Sequence, residues 1–142
     1  MNRKIAYISG NIKLVQDSIV ITSEMLTVFF NDNKAEFVGS VRLINEDDAL
    51  ELVADLLELN TDTEDFTCEG NVRVFKDKNR TFSDSAKYNK NENEFCFSGN
   101  VCVETEKDEI LKAPEVIMYV STNSFEAVGG VEVSFFIDSK KE

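Results

Sequence analysis

Phe66-Thr67-Cys68-Glu69-Gly70-Asn71-Val72-Arg73-Val74 is the stretch that decides the fold. Phe66, Cys68, Val72 and Val74 fall on alternate positions, with Gly70 in the same row. Period-two alternation marks a strand with one buried face. A glycine inside such a row marks a bend or a close backbone approach. The same pattern returns as Ala6, Ile8, Gly10, Ile12, Leu14; as Phe37, Gly39, Val41, Leu43; as Phe95, Phe97, Gly99, Val101, Val103; and as Phe125, Ala127, Gly129, Val131, Val133, Phe135. The five glycines are separated by 29, 31, 29 and 30 residues. The chain is therefore a repeat array whose units cannot bury their apolar faces alone.

A second anchor runs in register with the first. Fifteen residues before Gly39, Gly70, Gly99 and Gly129 stand Glu24, Asp55, Asp84 and Pro114, each preceded by a small residue: Ser23, Ala54, Ser83 and Ala113. The apolar parity flips across this anchor. Ile19 and Ile21, or Leu50 and Leu52, precede it; Leu26, Val28 and Phe30, or Leu57 and Leu59, follow it. A flip inside a continuous strand calls for one extra residue, so a bulge or corner is expected at Ser23-Glu24 and Ala54-Asp55. Turn-rich segments separate the strands at 31–33, 60–65, 77–79, 89–93 and 121–124. Residues 48–59 come nearest to a helical period, but the strand context of the repeats outweighs it.

These patterns predict one domain over residues 1–142. Its expected class is all-β, built from about five repeats. An apolar content of 42% with 11 Phe describes a globular chain. No apolar run is long enough to span a membrane as a helix. The opening residues carry Arg3 and Lys4 but no apolar segment of signal-peptide length, while Ile8-Ser9-Gly10 already belongs to the first repeat. The expectation is a mature chain whose leader is removed, or a cytoplasmic protein if Met1 is the native start.

Among the 3 cysteines, Cys68 lies in an inward row and reads as a small buried hydrophobe. Cys96 and Cys102 point outward on one strand, roughly 20 Å apart at about 3.3 Å per residue, too far to bridge each other. No disulfide framework follows. Net charge is −12 and unevenly placed. Between Arg42 and Arg73 there are ten acidic residues and no basic ones. Residues 73–90 reverse this with Arg73, Lys76, Lys78, Arg80, Lys87 and Lys90 against Asp77 and Asp84. Such runs are solvated faces and turns, or a place where phosphate or an acidic partner surface is met. The acidity and the lack of an aromatic-basic platform argue against a nucleic-acid partner. With 0 His, no histidine triad or histidine metal site can be built, so the chain does not read as an enzyme. Asp62, Glu64 and Asp65 cluster in a turn without the glycine-rich repeat of calcium β-rolls, so no metal or other cofactor is expected.

The order Ala54-Asp55, Leu57-x-Leu59, Phe66, Gly70-Asn71-Val72, and its parallel Ser83-Asp84, Ala86-x-Tyr88, Gly99-Asn100-Val101, resembles the OstA-like repeat of periplasmic lipopolysaccharide-transport proteins. The resemblance covers about residues 5–135. Pro114 in place of the acid, and Ser40 and Gly130 in place of Asn, depart from it. It implies an open jelly roll that shields acyl chains of lipopolysaccharide or a related lipid and stacks head to tail with itself and with other OstA-like transport proteins. The lipid-facing set it implies is Ile12, Leu14, Ile21, Leu26, Val28, Val41, Leu43, Leu52, Leu57, Leu59, Phe66, Val72, Val74, Phe97, Val101, Val103, Val116, Met118, Val131 and Val133. The residues alone also fit a dry core in a structural module that assembles without lipid, or a calcium-dependent or carbohydrate-binding surface module. The free edges are expected at residues 5–14 and 125–136, with Ile5, Tyr7 and Ile12 on one and Val131, Val133, Phe135 and Phe136 on the other.

Overall fold

The computed structural model describes residues 4–134. Phe135 and Phe136, assigned from the sequence to the C-terminal edge, lie outside the described residues. Strands β1 (Ile5–Gln16), β2 (Ile19–Phe29), β3 (Lys34–Asn45), β4 (Leu50–Asn60), β5 (Phe66–Lys76), β6 (Asn79–Asn89), β7 (Glu94–Glu104), β8 (Ile110–Tyr119), β9 (Ser124–Val128) and β10 (Glu132–Ser134) form one antiparallel sheet. Each strand pairs with the next through β8; β9 and β10 pair with opposite halves of β8. The five glycine-centred segments are β1, β3, β5, β7 and the pair β9–β10, which is split at Gly129-Gly130. Residues 50–60 are strand, so β-pairing overrides the weak helical period there.

The sheet folds along a line that crosses every strand. Neighbouring strands lose register at one common level, for example between Val53 and Leu56 on β4 and between Glu69 and Val72 on β5. The parity flip is where the sequence places it, on the even strands. The extra residue, however, sits on the glycine strand opposite. Gly70-Asn71, Gly99-Asn100 and Gly39-Ser40 each take two consecutive left-handed residues, with φ of 84° and 49° for the first pair. Glycine adopts this region without penalty and asparagine tolerates it, which is why a strand interior carries Gly-Asn.

The acidic anchor now has a cause. Hairpin reversal brings Asp55 beside Gly70 and Asp84 beside Gly99 on the next strand. A β-carbon added at Gly99 would stand 2.6 Å from Asp84 Oδ2 and 2.8 Å from its Cβ. At Gly70 the separation from Asp55 Oδ2 would be 2.5 Å. The carboxylate thus lies over bare backbone, and the asparagine holds it there. Asn71 Nδ2 donates to Asp55 Oδ2 at 2.9 Å, and Asn100 Nδ2 to Asp84 Oδ2 at 2.9 Å. Where Pro114 replaces the acid, its ring packs 3.0 Å from the same position at Gly129.

The fold turns the inner faces of the two half-sheets toward one another around a single core. One half contributes aliphatic residues: Ile21, Val41, Leu43, Leu52, Val72, Val74, Val101 and Val103. The other is aromatic-rich: Phe37, Phe66, Phe95, Phe97, with Leu57, Val116 and Met118. Phe95 and Phe97 stack with centroids 5.6 Å apart, and Phe66 meets Phe95 edge-on at 5.8 Å. Each fully buried side chain of this kind contributes about 1.5–3 kcal/mol.

Gly10 supplies an internal control, because a β-carbon there meets nothing within 4 Å although φ is +88°. Gly10→Ala is therefore expected to cost only the backbone strain, about 1 kcal/mol, while Gly99→Ala, at φ +82°, adds a displaced carboxylate and costs at least about twice that. Urea unfolding of both variants checks this, and equal losses would show that the acid-on-glycine contact contributes nothing.

Candidate functional site: an apolar trough open at one end

The turns form two rims. Within a rim each turn is tied to the turn of the neighbouring hairpin, as in Thr61 N donating to Asn33 O (2.8 Å), Val120 N to Asn93 O (3.1 Å), Glu46 N to Ser18 O (3.3 Å) and Asp77 N to Ala49 O (3.3 Å). The rims face each other across a seam. Near the C-terminal end Asn79 Nδ2 donates to Asn123 Oδ1 at 3.4 Å and bridges it. Toward the N-terminal end the rims part. There a cavity of about 340 Å³ is lined by Leu14, Ile19, Ile21 and Leu43 from the aliphatic half, and by Leu59, Phe66 and Tyr88 from the aromatic half. That volume lies in the range of about 300–1,000 Å³ usual for ligand sites.

The mouth of the trough is polar and anionic. Asp17, Ser18, Asn45 and Asp48 stand on one lip, Glu64, Lys90 and Asn93 on the other. Lys90 pairs through Nζ with Glu64, and its backbone N donates to Asp65 Oδ1 at 2.9 Å. Tyr88 closes the inner side, its hydroxyl donating to Asn93 Oδ1 at 2.8 Å. Burial, with the carboxylates of Asp48, Asp65 and Glu64, pushes the Tyr88 phenol above its ordinary value, so it stays a neutral donor. Burial also pushes the Cys68 thiol well up, which fits an inert core residue. Cys96 and Cys102 are half-buried on the outer face and unbridged.

The residues named from the sequence divide by place. Ile21, Leu26, Val41, Leu43, Leu52, Leu57, Leu59, Phe66, Val72, Val74, Phe97, Val101, Val103, Val116 and Met118 are buried in the core. Ile12 and Leu14, on β1 with a partner on one side only, and Val28 on β2 beside it pack against the core but remain half-exposed. Val133 on β10 pairs with Leu111, which pairs with the buried Val103, so it keeps to the inward row; Val131 just before β10 and Val133 are nevertheless 47% and 46% exposed, with no further strand to cover them. Phe30 leaves its expected inward row for the same kind of reason. It begins a 3-10 turn and is 56% exposed. Ile8 lies in an inward row but is 46% exposed on edge strand β1. Ile19 and Tyr88 line the open trough although they are absent from the expected lipid-facing set. Their parity with Ile21 and Ala86 carried the signal.

Among the described residues no helix is long and apolar enough to cross a membrane, and no group of His, Cys, Asp and Glu could hold a metal ion. No family model matches the chain, and no curated protein matches it by sequence. Among solved structures it is similar to LptH of Pseudomonas aeruginosa, described as the LptA-homologous periplasmic component of a conserved lipopolysaccharide transport device. The TM-score is 0.73 at 12% identity, over 84% of this chain and 95% of that one. The likeness shows the fold: a single open sheet of the LptA-like jelly-roll type.

The difference between the filled middle and the open end is measurable. Val72→Asp places an unpaired charge at a site 1% exposed and is expected to cost about 4 kcal/mol or more, enough to unfold a domain of this size. Leu14→Asp, at the half-exposed lip, should cost roughly 1 kcal/mol. Thermal melts of the two variants read the contrast, and similar losses would mean that the trough is closed at β1.

Proposed function

We propose that the protein is a non-catalytic lipid carrier of the periplasm. In this reading it holds the acyl chains of lipopolysaccharide or a related lipid in the trough and leaves the polar headgroup at the seam. The observation that carries the reading is the open end. A continuous apolar interior reaches solvent between two separated rims at β1 and β2, instead of ending under a cap. Each methylene moved from water into such a trough gains about 0.8 kcal/mol. The likeness to a periplasmic transport component agrees with this role and with its location.

The reading extends to assembly. β1 at one end and β9–β10 at the other each pair on one side only, so both present unpaired backbone. Their charges differ in sign. Lys4 and Lys13 accompany the N-terminal edge, Glu126 and Glu132 the C-terminal one. Strand addition between unlike edges is head-to-tail and propagates without closing. It would join the trough of one molecule to the interior of the next, and it gives other proteins with the same edge a way to dock.

A second reading is favoured by the packing of the middle repeats. Val72, Val74, Val101 and Val103 are each 1% exposed, and Phe97 and Val116 are fully buried, so that part of the interior is already filled by the chain itself. A structural module that stacks end to end without lipid would need nothing more.

A photo-reactive residue at Leu14 is expected to crosslink to lipopolysaccharide, and the same residue at Val15, which faces outward and is 62% exposed, is not. Crosslinking at both or at neither position removes carriage and leaves the structural module. Val133→Pro is expected to abolish concentration-dependent growth in light scattering while the core stays folded. A wild-type protein that remains monomeric at high concentration removes the head-to-tail part.

A further inference from the structure

The fold gives the two outer faces opposite charge. On the half of the sheet between the fold line and the rim of Asp17, Ala49 and Asp77, one outward row runs across the strands as Lys13, Thr22, Arg42, Val53, Arg73, Phe82, Cys102, Lys112 and Glu132. The next row toward the rim begins Val15, Val20, Ile44 and continues through Glu51, Phe75, Arg80, Glu104 and Ile110. Five basic residues stand here against three acidic ones. Two of those acids are engaged, Glu51 by Arg42 at 2.7 Å and Glu104 by Arg80 at 2.8 Å. Lys13, Arg73 and Lys112 are exposed and make no ion pair among the described residues. The outer face of the other half carries Glu36, Glu58, Glu69, Glu94, Glu115 and Glu126 against Lys34 and Lys87.

We infer that the basic outer face docks on the surface of an anionic lipid bilayer. In a chain of net charge −12, a face with unpaired cations selects an anionic partner. Lys13, Arg42 and Arg73 lie on alternate strands, about 9.6 Å apart at the usual strand spacing, along one level of one continuous sheet. That array suits a plane of phosphates. Beside it, Val15, Val20 and Ile44 are cross-strand neighbours that form an apolar strip, with Val53, Phe75 and Phe82 half-exposed further along. Cations flanking half-exposed apolar and aromatic side chains are the composition of interfacial membrane binding. The strip is also continuous with the trough: Leu14 points into the cavity while Lys13 and Val15, its neighbours on β1, point to this face. Docking would set the open end beside the bilayer. The acidic half-face of a second copy fits less well, because Glu36 and Glu58 already pair with Lys34 and Glu126 accepts the Tyr119 hydroxyl. The acidic turns at Asp17, Glu46, Asp47 and Asp77 border the face and keep the contact shallow and reversible.

The choice of a lipid surface rests on the carrier reading; the charge of the face does not. The test is flotation of the whole chain with vesicles of phosphatidylcholine alone or with about 30 mol% phosphatidylglycerol. Binding is expected only to the anionic vesicles, and release at about 0.5 M NaCl. Arg73→Glu with Lys112→Glu is expected to weaken it about tenfold or more, while Lys87→Glu on the opposite face leaves it unchanged. No binding, equal binding to neutral vesicles, or retention by the double variant overturns the proposal. Self-association without vesicles that the same double variant abolishes overturns it too, and makes a second copy the occupant. Flotation that fails while Leu14 still crosslinks lipid sinks the docking face and leaves carriage standing.

Discussion

A carboxylate resting on a glycine decides the shape of this protein. Flat antiparallel sheets of ten strands expose both faces, and the apolar rows here would have nothing to cover them. The fold line solves this, and it exists because each glycine strand spends one extra residue in the left-handed region. Without a β-carbon at Gly70 or Gly99 the aspartate of the preceding strand can lie across the backbone. With Asn71 or Asn100 beside it the aspartate is fixed by a hydrogen bond. The contact recurs along the sheet, so the bends align into one crease and the two half-sheets close on a common core.

The crease also explains why the ends differ from the middle. Each interior row is covered by rows on the strands beside it and by the opposite half-sheet. β1 lacks a neighbour, and its rim stands away from the rim across the seam, so Leu14 and Ile19 remain within reach of solvent. At the other end the Asn79–Asn123 bridge draws the rims together, and Met118 and Val120 are buried. The parting of the rims therefore belongs to one end of the array and not to the repeat as such.

Much of this was legible in the residues. The glycine period gave the strands, and the parity flip located the crease at Ser23-Glu24 and Ala54-Asp55. Cys68, Val72 and Val101 lie where alternation puts them. What the sequence could not show was the partner of each residue across the crease. Parity says that a strand changes face, but not which strand carries the additional residue, and that turns on φ at Asn71 and Asn100. Alternation likewise cannot tell covered from uncovered. Val131 and Val133 continue an inward row in sequence, yet they stand at the end of the sheet where no strand follows. The sides of the trough were similarly hidden. Ile19 and Tyr88 line one cavity only because two distant hairpins face each other over the seam, and no spacing along the chain records that.

The up-and-down order of the strands carries a last consequence, for how the molecule can vary in length. Through β8 every strand hydrogen-bonds to the strand that precedes it, and no strand is inserted between two earlier ones. A unit of 29 to 31 residues, one glycine strand and one acidic strand, can therefore be added to or removed from the array without re-threading any connection. Each such change would lengthen or shorten the interior by two strand spacings, about 9.6 Å, while every type of contact is preserved. The topology makes distance a modular quantity, counted in hairpins.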